Sequence, residues 1–368
     1  MKLICENKSN LIKGIQLVHN IIGDKTILPI LANILIDTGE DGIYISSTDI
    51  TISIKVFIPL KIEEKGSITI PAKKFNDIVR ELPEGKIEIK TMDNNRVRIT
   101  CGDVMYNIMG LPKQEFPKFP DIKKGGTSFK TDSITLRELI RKTIFAVAEE
   151  QTRLTLNGGC INFLNDSIKL ITTDGRRLAL NTVKIKGNSE TEISIIIPMK
   201  CMAELQRMLP DDKEVEVTLF ENKIAFETGD IVFVSSLIEG QYPKFDEVVN
   251  RKEGKKLLVN AERLLSAAKR VSIVAVDKAG AVKLNISKNK LLINASTSEL
   301  GEAEEKIEIK YGDKEDFLIL NSKYLIDALR NMGSTDIEIN FIDSYNAVLF
   351  KPLNDPNYIC IIMPIRPA

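Results

Sequence analysis

An internal repeat constrains this 368-residue chain more than any other feature. The phrase QEFPKFPDI (114–122) returns as GQYPKFDEV (240–248), and the text around each copy matches as well. Upstream, CGDVMYNIMGLPKQEFPKF (101–119) aligns with TGDIVFVSSLIEGQYPKF (228–245), and NDPNYICIIMPIRPA (354–368) closes on the same strand-then-proline pattern. A second element occurs three times: IPAKKFNDIVRELPEGKIEIK (70–90), IPMKCMAELQRMLPDDKEVEV (197–217) and LNSKYLIDALRNMGSTDIEIN (320–340), offset by 127 and then 123 residues. Matching at several elements marks true duplication.

Each copy opens on a stretch that predicts a helix: NLIKGIQLVHNII (10–22), TLRELIRKTIFAVA (135–148) and AERLLSAAKRVSIVA (261–275). Leu11, Ile15 and Val18 recur at helical spacing, as do Leu136, Leu139 and Ile140. The runs GIYISSTDITISIKVFI (42–58) and DSIKLITTDGRRLALNTVKI (166–185) instead alternate with period two and are β-branched, which predicts strands. The unit therefore reads helix, strands, helix, strands, an α+β chain of three tandem domains expected at 1–122, 128–250 and 254–368. Polar, glycine-bearing IKKGGTS (122–128) and NRKEGKK (250–256) serve as linkers.

No apolar run is long enough to cross a membrane as a helix, and MKLICENKSN lacks a signal-peptide core, so a cytoplasmic protein with no membrane partner is expected. The five cysteines are scattered singly and His19 is the only histidine, which argues against a disulfide framework, a histidine triad or a zinc site. TTDGRR (172–177) and the turns Gly102-Asp103 and Gly229-Asp230 could hold a phosphate or a metal. No phosphate loop, paired catalytic carboxylates or H-E-x-x-H motif accompanies them. The expectation is a protein with no catalytic residues, no cofactor and no metal.

Basic and acidic residues balance at 51 each, yet they are segregated. The six expected helices (8–20, 72–82, 133–148, 199–209, 261–273, 322–332) carry 15 basic and 6 acidic side chains, so the remainder is acidic. Lys73 with Arg80, Lys200 with Arg207, and Lys323 with Arg330 stand seven apart on one helix face, opposite apolar residues. Arg137 with Arg141, and Arg263 with Arg270, repeat the theme. For a single helix this is an ordinary solvated face. Six such helices in an acidic remainder point to a shared positive field suited to a polyanion. The basic faces lack interleaved aromatics and nothing resembles a recognition helix or a zinc finger, which leaves sequence-independent contact with the duplex DNA backbone. An architectural DNA binder that bends the duplex would need wedge residues.

The joint presence of TILPIL (26–31), IPAKKF (70–75), TDGRRLA (173–179) and a terminal MPIR (363–366) closely resembles the bacterial sliding clamp family, the beta subunit of DNA polymerase III, over the whole chain. The resemblance implies the DNA clamp fold: a head-to-tail homodimeric ring, with sheets outside and helices lining a central hole around duplex DNA. It implies a processivity factor that tethers the DNA polymerase III catalytic subunit, the clamp loader and other clamp-binding-motif proteins. Carried over position by position, the partner-peptide groove is Leu156, Thr173, Gly175, Arg176, Arg177, Leu178, Pro243, Val248, Ile361, Met363, Pro364, Ile365 and Arg366. The DNA-facing set is Lys25, Lys73, Arg80, Arg137, Arg141, Gln151, Lys200 and Arg207, and the dimer joint is Tyr106 and Ile108 against Ile273 and Val274. Three features depart from the family: the RPA ending, Arg176 where relatives often have histidine, and Glu247 where they are often basic.

Overall fold

The computed structural model describes residues 1–23, 28–122, 126–149, 153–185, 192–250, 253–275, 280–333 and 336–366. Among these are seven α-helices: α1 Lys8–His19, α2 Ala72–Glu81, α3 Ser133–Thr143, α4 Met199–Met208, α5 Asp246–Val249, α6 Ala261–Val271 and α7 Ser322–Met332. The chain divides into two compact units, 1–134 with 204–237, and 135–203 with 238–368.

In the first unit α1 and α2 pack together on a sheet. Leu11, Ile15 and Val18 of α1 and Phe75 and Val79 of α2 are fully buried, as their spacing predicts. The Asn7 side chain caps α1 by accepting the Asn10 amide at 3.2 Å. Lys8 Nζ donates to the carbonyls of Arg80 and Leu82, placing a cation at the C-terminal end of α2. The second unit repeats the device, with Asn260 capping α6 and Asn321 capping α7.

The helices are shorter than their apolar periodicity suggests. Helix α1 stops at His19, α3 at Thr143 and α6 at Val271. At Thr143 the backbone leaves helical dihedrals (φ −123°) and a 3-10 turn, Ile144–Ala146, follows. The Thr143 hydroxyl bonds back to the Leu139 carbonyl at 2.8 Å, a local alternative to continuing the helix. The two long strand-like runs each fold into a hairpin. Asp49 Oδ1 accepts the amides of Thr51 and Ile52, and Asp174 Oδ1 accepts those of Arg176 and Arg177. The residue after each aspartate has positive φ, 80° at Ile50 and 86° at Gly175. Glycine adopts that conformation freely, whereas a β-branched side chain is strained in it.

Four sheets carry the repeat into topology. The first has five strands, in order Lys61–Glu64, Lys2–Cys5, Ile87–Thr91, Arg96–Cys101 and Val104–Met109. The second has eight: Thr127–Asp132, Glu214–Phe220, Lys223–Thr228, Ile231–Ser236, Ile52–Pro59, Gly42–Thr48, Asn33–Thr38 and Ser67–Pro71. The third also has eight: Ile193–Pro198, Gly158–Phe163, Ser167–Thr173, Arg177–Lys184, Tyr358–Ile362, Val348–Pro352, Asp336–Phe341 and Lys255–Asn260. The fourth has four: Gly301–Glu308, Lys290–Thr297, Ala281–Ser287 and Asp316–Asn321.

Both eight-stranded sheets are built by one rule, in which a hairpin of one repeat continues into the last strand of the next. Ile52–Pro59 pairs with Ile231–Ser236, and Arg177–Lys184 pairs with Tyr358–Ile362, both antiparallel. Among the described residues the third hairpin has no such successor. Its strand Gly301–Glu308 ends the fourth sheet, and Val104–Met109, the repeat counterpart of Ile231–Ser236, ends the first. Among the described residues each of these two strands has one sheet neighbour.

Candidate functional site

The TDGRR segment builds the densest polar constellation in the second unit. The Thr173 hydroxyl donates to the Arg177 carbonyl at 2.6 Å and accepts the Gly175 amide at 3.0 Å, so the hairpin tip is held from within. Arg177 is turned inward, with its side chain only 5% exposed. Its Nε meets Asp174 Oδ2 at 3.1 Å and its Nη1 meets Asp327 Oδ2 of α7 at 2.8 Å. The guanidinium also lies 4.4 Å from the Tyr324 ring centroid and 5.6 Å from that of Phe145. A buried cation needs such pairing, and the planar guanidinium suits stacking better than lysine would.

Beside this cluster is a cavity of about 460 Å³, within the usual range for a ligand site. Leu156, Gly175, Arg176 and Arg177 line it, together with Arg153 and Tyr324. On the adjoining sheet face Leu178 stands opposite Ile361, and both join a buried apolar cluster against which Tyr242 and Phe245 pack. The Tyr242 hydroxyl accepts the Thr173 amide at 3.0 Å, and burial pushes its ionisation well upward, so it stays neutral. This fixes the segment that carries Pro243 and Val248, both of which remain exposed. Past the last strand the Met363 amide donates to the Arg176 carbonyl and the Ile365 amide to the Ile319 carbonyl, both at 2.8 Å. Met363 is 43% exposed, Pro364 and Ile365 are half-buried, and Arg366 is exposed.

The carried-over groove residues thus all fall in one compact unit, with Leu156, Thr173, Arg177, Leu178 and Ile361 buried and Pro243, Val248 and Met363 exposed. Reading the sequence missed Arg153, Tyr324 and Asp327. Asp174 was legible within TDGRR. Asp327 was not, because its partner Arg177 lies 150 residues away.

Of the basic set, Lys73, Arg80, Arg141, Lys200 and Arg207 are exposed and Arg137 is half-buried, while Lys25 and Gln151 lie outside the described residues. Arg207 pairs with Glu204 at 2.9 Å on its own helix but keeps 63% of its side chain exposed. Arg270, placed by its spacing on a basic helix face, makes a double contact with Glu305, at 2.8 and 2.6 Å. On the edge strand Val104–Met109, Tyr106 is 37% exposed and Ile108 half-buried. Ile273 is 71% exposed, whereas Val274 packs against the core of its own unit.

Comparison with known proteins gives the same three-part reading. Profiles of the DNA polymerase III beta subunit match in order: its N-terminal domain at residues 1–120, its central domain at 130–244 and its C-terminal domain at 247–366. The chain is 30% identical to the beta sliding clamp of Escherichia coli (strain K12) over 368 residues, covering 100% of each. It is 29% identical to that of Chlamydia muridarum over 357 residues, covering 97% of this chain and 96% of the relative. Among solved structures, the sliding clamp of Bartonella birtlesii bound to griselimycin superposes with a TM-score of 0.95 at 30% identity, covering 100% of both chains. With the profiles spanning nearly its whole length, the chain belongs to the DNA polymerase III beta subunit family, the bacterial beta sliding clamps.

Proposed function

We propose that this protein is a non-catalytic processivity factor of the cytoplasm. Two copies close head to tail into a ring around duplex DNA, slide without regard to sequence, and tether the replicative polymerase, the clamp loader and other partners through the peptide groove. The observation that carries the reading is the pair of unfinished sheets. Two sheets obey the hairpin-to-next-repeat rule, while among the described residues the third hairpin lacks a successor and Val104–Met109 lacks a hairpin. An open edge is a template for pairing with another chain, and joining these two between copies satisfies the rule everywhere.

The repeat also supplies a register for the joint. Across the three hairpins Ser47 stands opposite Ile54, Thr172 opposite Ala179, and Ala295 opposite Ala303. Ile54 and Ala179 then stand opposite Phe233 and Cys360 of the following repeat. Tyr106 is the counterpart of Phe233, three residues after each Gly-Asp turn's aspartate. In the proposed joint Tyr106 therefore faces Ala303, and Asn107 faces Glu302. The faces agree: Tyr106 is paired with buried Ile99, and Ala303 with buried Ala295. A slip of one residue would reverse every side chain. Charge agrees too, since Arg98 sits beside Asn107, at 3.2 Å, while the partner strand carries Glu302 and Glu304.

DNA contact is assigned to the exposed basic residues Lys73, Arg80, Arg141, Lys200 and Arg207 and to half-buried Arg137; Lys25 and Gln151, which complete the set, lie outside the described residues. Many weak phosphate contacts suit sliding better than a few strong ones. For partner peptides, the rim of Pro243, Val248 and Met363 over an apolar floor offers the burial that anchors a short apolar segment.

Cysteines introduced as Asn107→Cys and Glu302→Cys in one chain test the joint. All five native cysteines are buried, so a new disulfide reports on the new pair. Mild oxidation is expected to give covalent dimers, visible on a non-reducing gel. Monomers alone after full oxidation, or equal crosslinking from a pair shifted by one residue, would refute the register.

A further inference from the structure

A second cavity, of about 460 Å³, lies in the first unit and has no part in the groove or in DNA contact as assigned above. Lys55, at the centre of the strand Ile52–Pro59, projects into it. Its ammonium sits 4.1 Å from the Phe119 ring centroid and 6.0 Å from that of Tyr44. Phe119 is held from behind, packing with Val232 against a small apolar cluster. Phe116, itself buried, adds a further aromatic wall. The nearest acid, Asp37, is already engaged by Lys113 at the cavity's edge. Among the described residues the Lys55 ammonium makes no ion pair or hydrogen bond, and it faces the two rings. Burial lowers its basicity by more than the nearby Asp37 carboxylate restores it.

A half-buried ammonium with three donors and no acceptor is an incomplete site. We propose that this cavity binds a monocarboxylate on a short apolar stem, with the carboxylate on Lys55 and the stem against Tyr44, Phe116 and Phe119. Lys113 and Lys118 also line the cavity, but Lys113 is engaged by Asp37 and Lys118 is exposed, so Lys55 is the half-buried cation that a single carboxylate would neutralise. The apolar walls suit a stem and would repel a fully hydrated anion. The carboxylate could arrive as a free small acid or on a glutamate side chain of a partner peptide, and these sources share the chemistry at Lys55.

Saturation-transfer NMR and calorimetric titration of the full chain separate the possibilities, using hexanoate as the free acid, acetyl-Glu-Leu-amide as the peptide and hexanamide as the neutral control. Hexanoate or the peptide should bind saturably and hexanamide should not; whichever binds more tightly identifies the source. Lys55→Met should weaken binding about ten- to a hundredfold, the loss of one charge-assisted contact. Because Lys55 lies in a central strand, Asp37→Asn provides a second, surface-accessible test: it removes the carboxylate in the cavity lining, whose charge opposes a bound anion, and should tighten binding. No saturable binding of either carboxylate, equal binding of hexanamide, or unchanged affinity in a Lys55→Met protein that melts like the parent would overturn the proposal.

Discussion

Ile273 offers the sharpest test of the proposed joint. It follows α6 with 71% of its surface exposed, so apolar area remains there for a joint to bury. Ile273→Ala removes three carbons, worth about 0.8 kcal/mol each when fully buried. Scaled by the 71% left to bury, the loss is about 1.7 kcal/mol per joint. A twofold dimer has two such joints, so the total is about 3.4 kcal/mol, or roughly a 300-fold rise in the dimer dissociation constant. Val274 should be left intact, because it packs against its own core and its truncation would confound dimerisation with folding. Sedimentation equilibrium across a concentration series measures the constant, and a melting curve checks the fold, which should be unaffected by a change at an exposed side chain. An Ile273→Ala protein that dimerises as tightly as the parent would refute the assignment of this residue to the joint.

Other outcomes follow from the same structure. Reversing charge at Arg80, Lys200 and Arg207 together should sharply reduce retention on DNA in moderate salt, whereas Lys73→Ala alone should cost little, because each exposed phosphate contact is a small screened term; a filter-binding salt series reads both. Deleting residues 363–368 removes the Met363 rim and its amide bond to Arg176, and should weaken an apolar clamp-binding peptide by a few kcal/mol in a fluorescence-polarisation titration, with the dimer intact. Burial pushes the thiols of Cys5 and Cys160 upward and that of Cys360 to about 12, so little reactive thiolate exists near pH 8; a thiol-disulfide reagent should find almost none of the five in native protein and all of them after unfolding.

Much of the architecture was legible because periodic patterns report local faces. Phe75 and Val79 lie inward and Lys73 and Arg80 outward on α2, as spacing alone requires. The TDGRR turn was legible for a similar reason, since aspartate and glycine prescribe the hairpin tip. What the pattern could not carry were contacts between distant segments. Arg177 reads as a surface arginine beside Arg176, yet Asp327, Tyr324 and Phe145 draw it inward. Arg270 fits a basic helix face by spacing, but the neighbouring strand presents Glu305 to it. The end of α3 escaped because Ile144, Phe145 and Ala146 continue the apolar pattern after the backbone has turned at Thr143. Lys55 alternates correctly within its strand, and nothing local reveals that Phe119, 64 residues on, lies over it. The Pro367–Ala368 tail, like Lys25 and Gln151, lies outside the described residues.

Retention on circular DNA measures the central claim most directly. A ring held by topology stays on a nicked circle, and cutting that circle once gives it an end from which to slide. Loaded by its clamp loader onto nicked plasmid and passed through a sizing column in salt high enough to screen phosphate contacts, the protein should co-elute with the circle and be lost on linearisation. Equal retention on circular and linear DNA would mean that affinity does the holding, and would contradict closure of the two open edges into a ring.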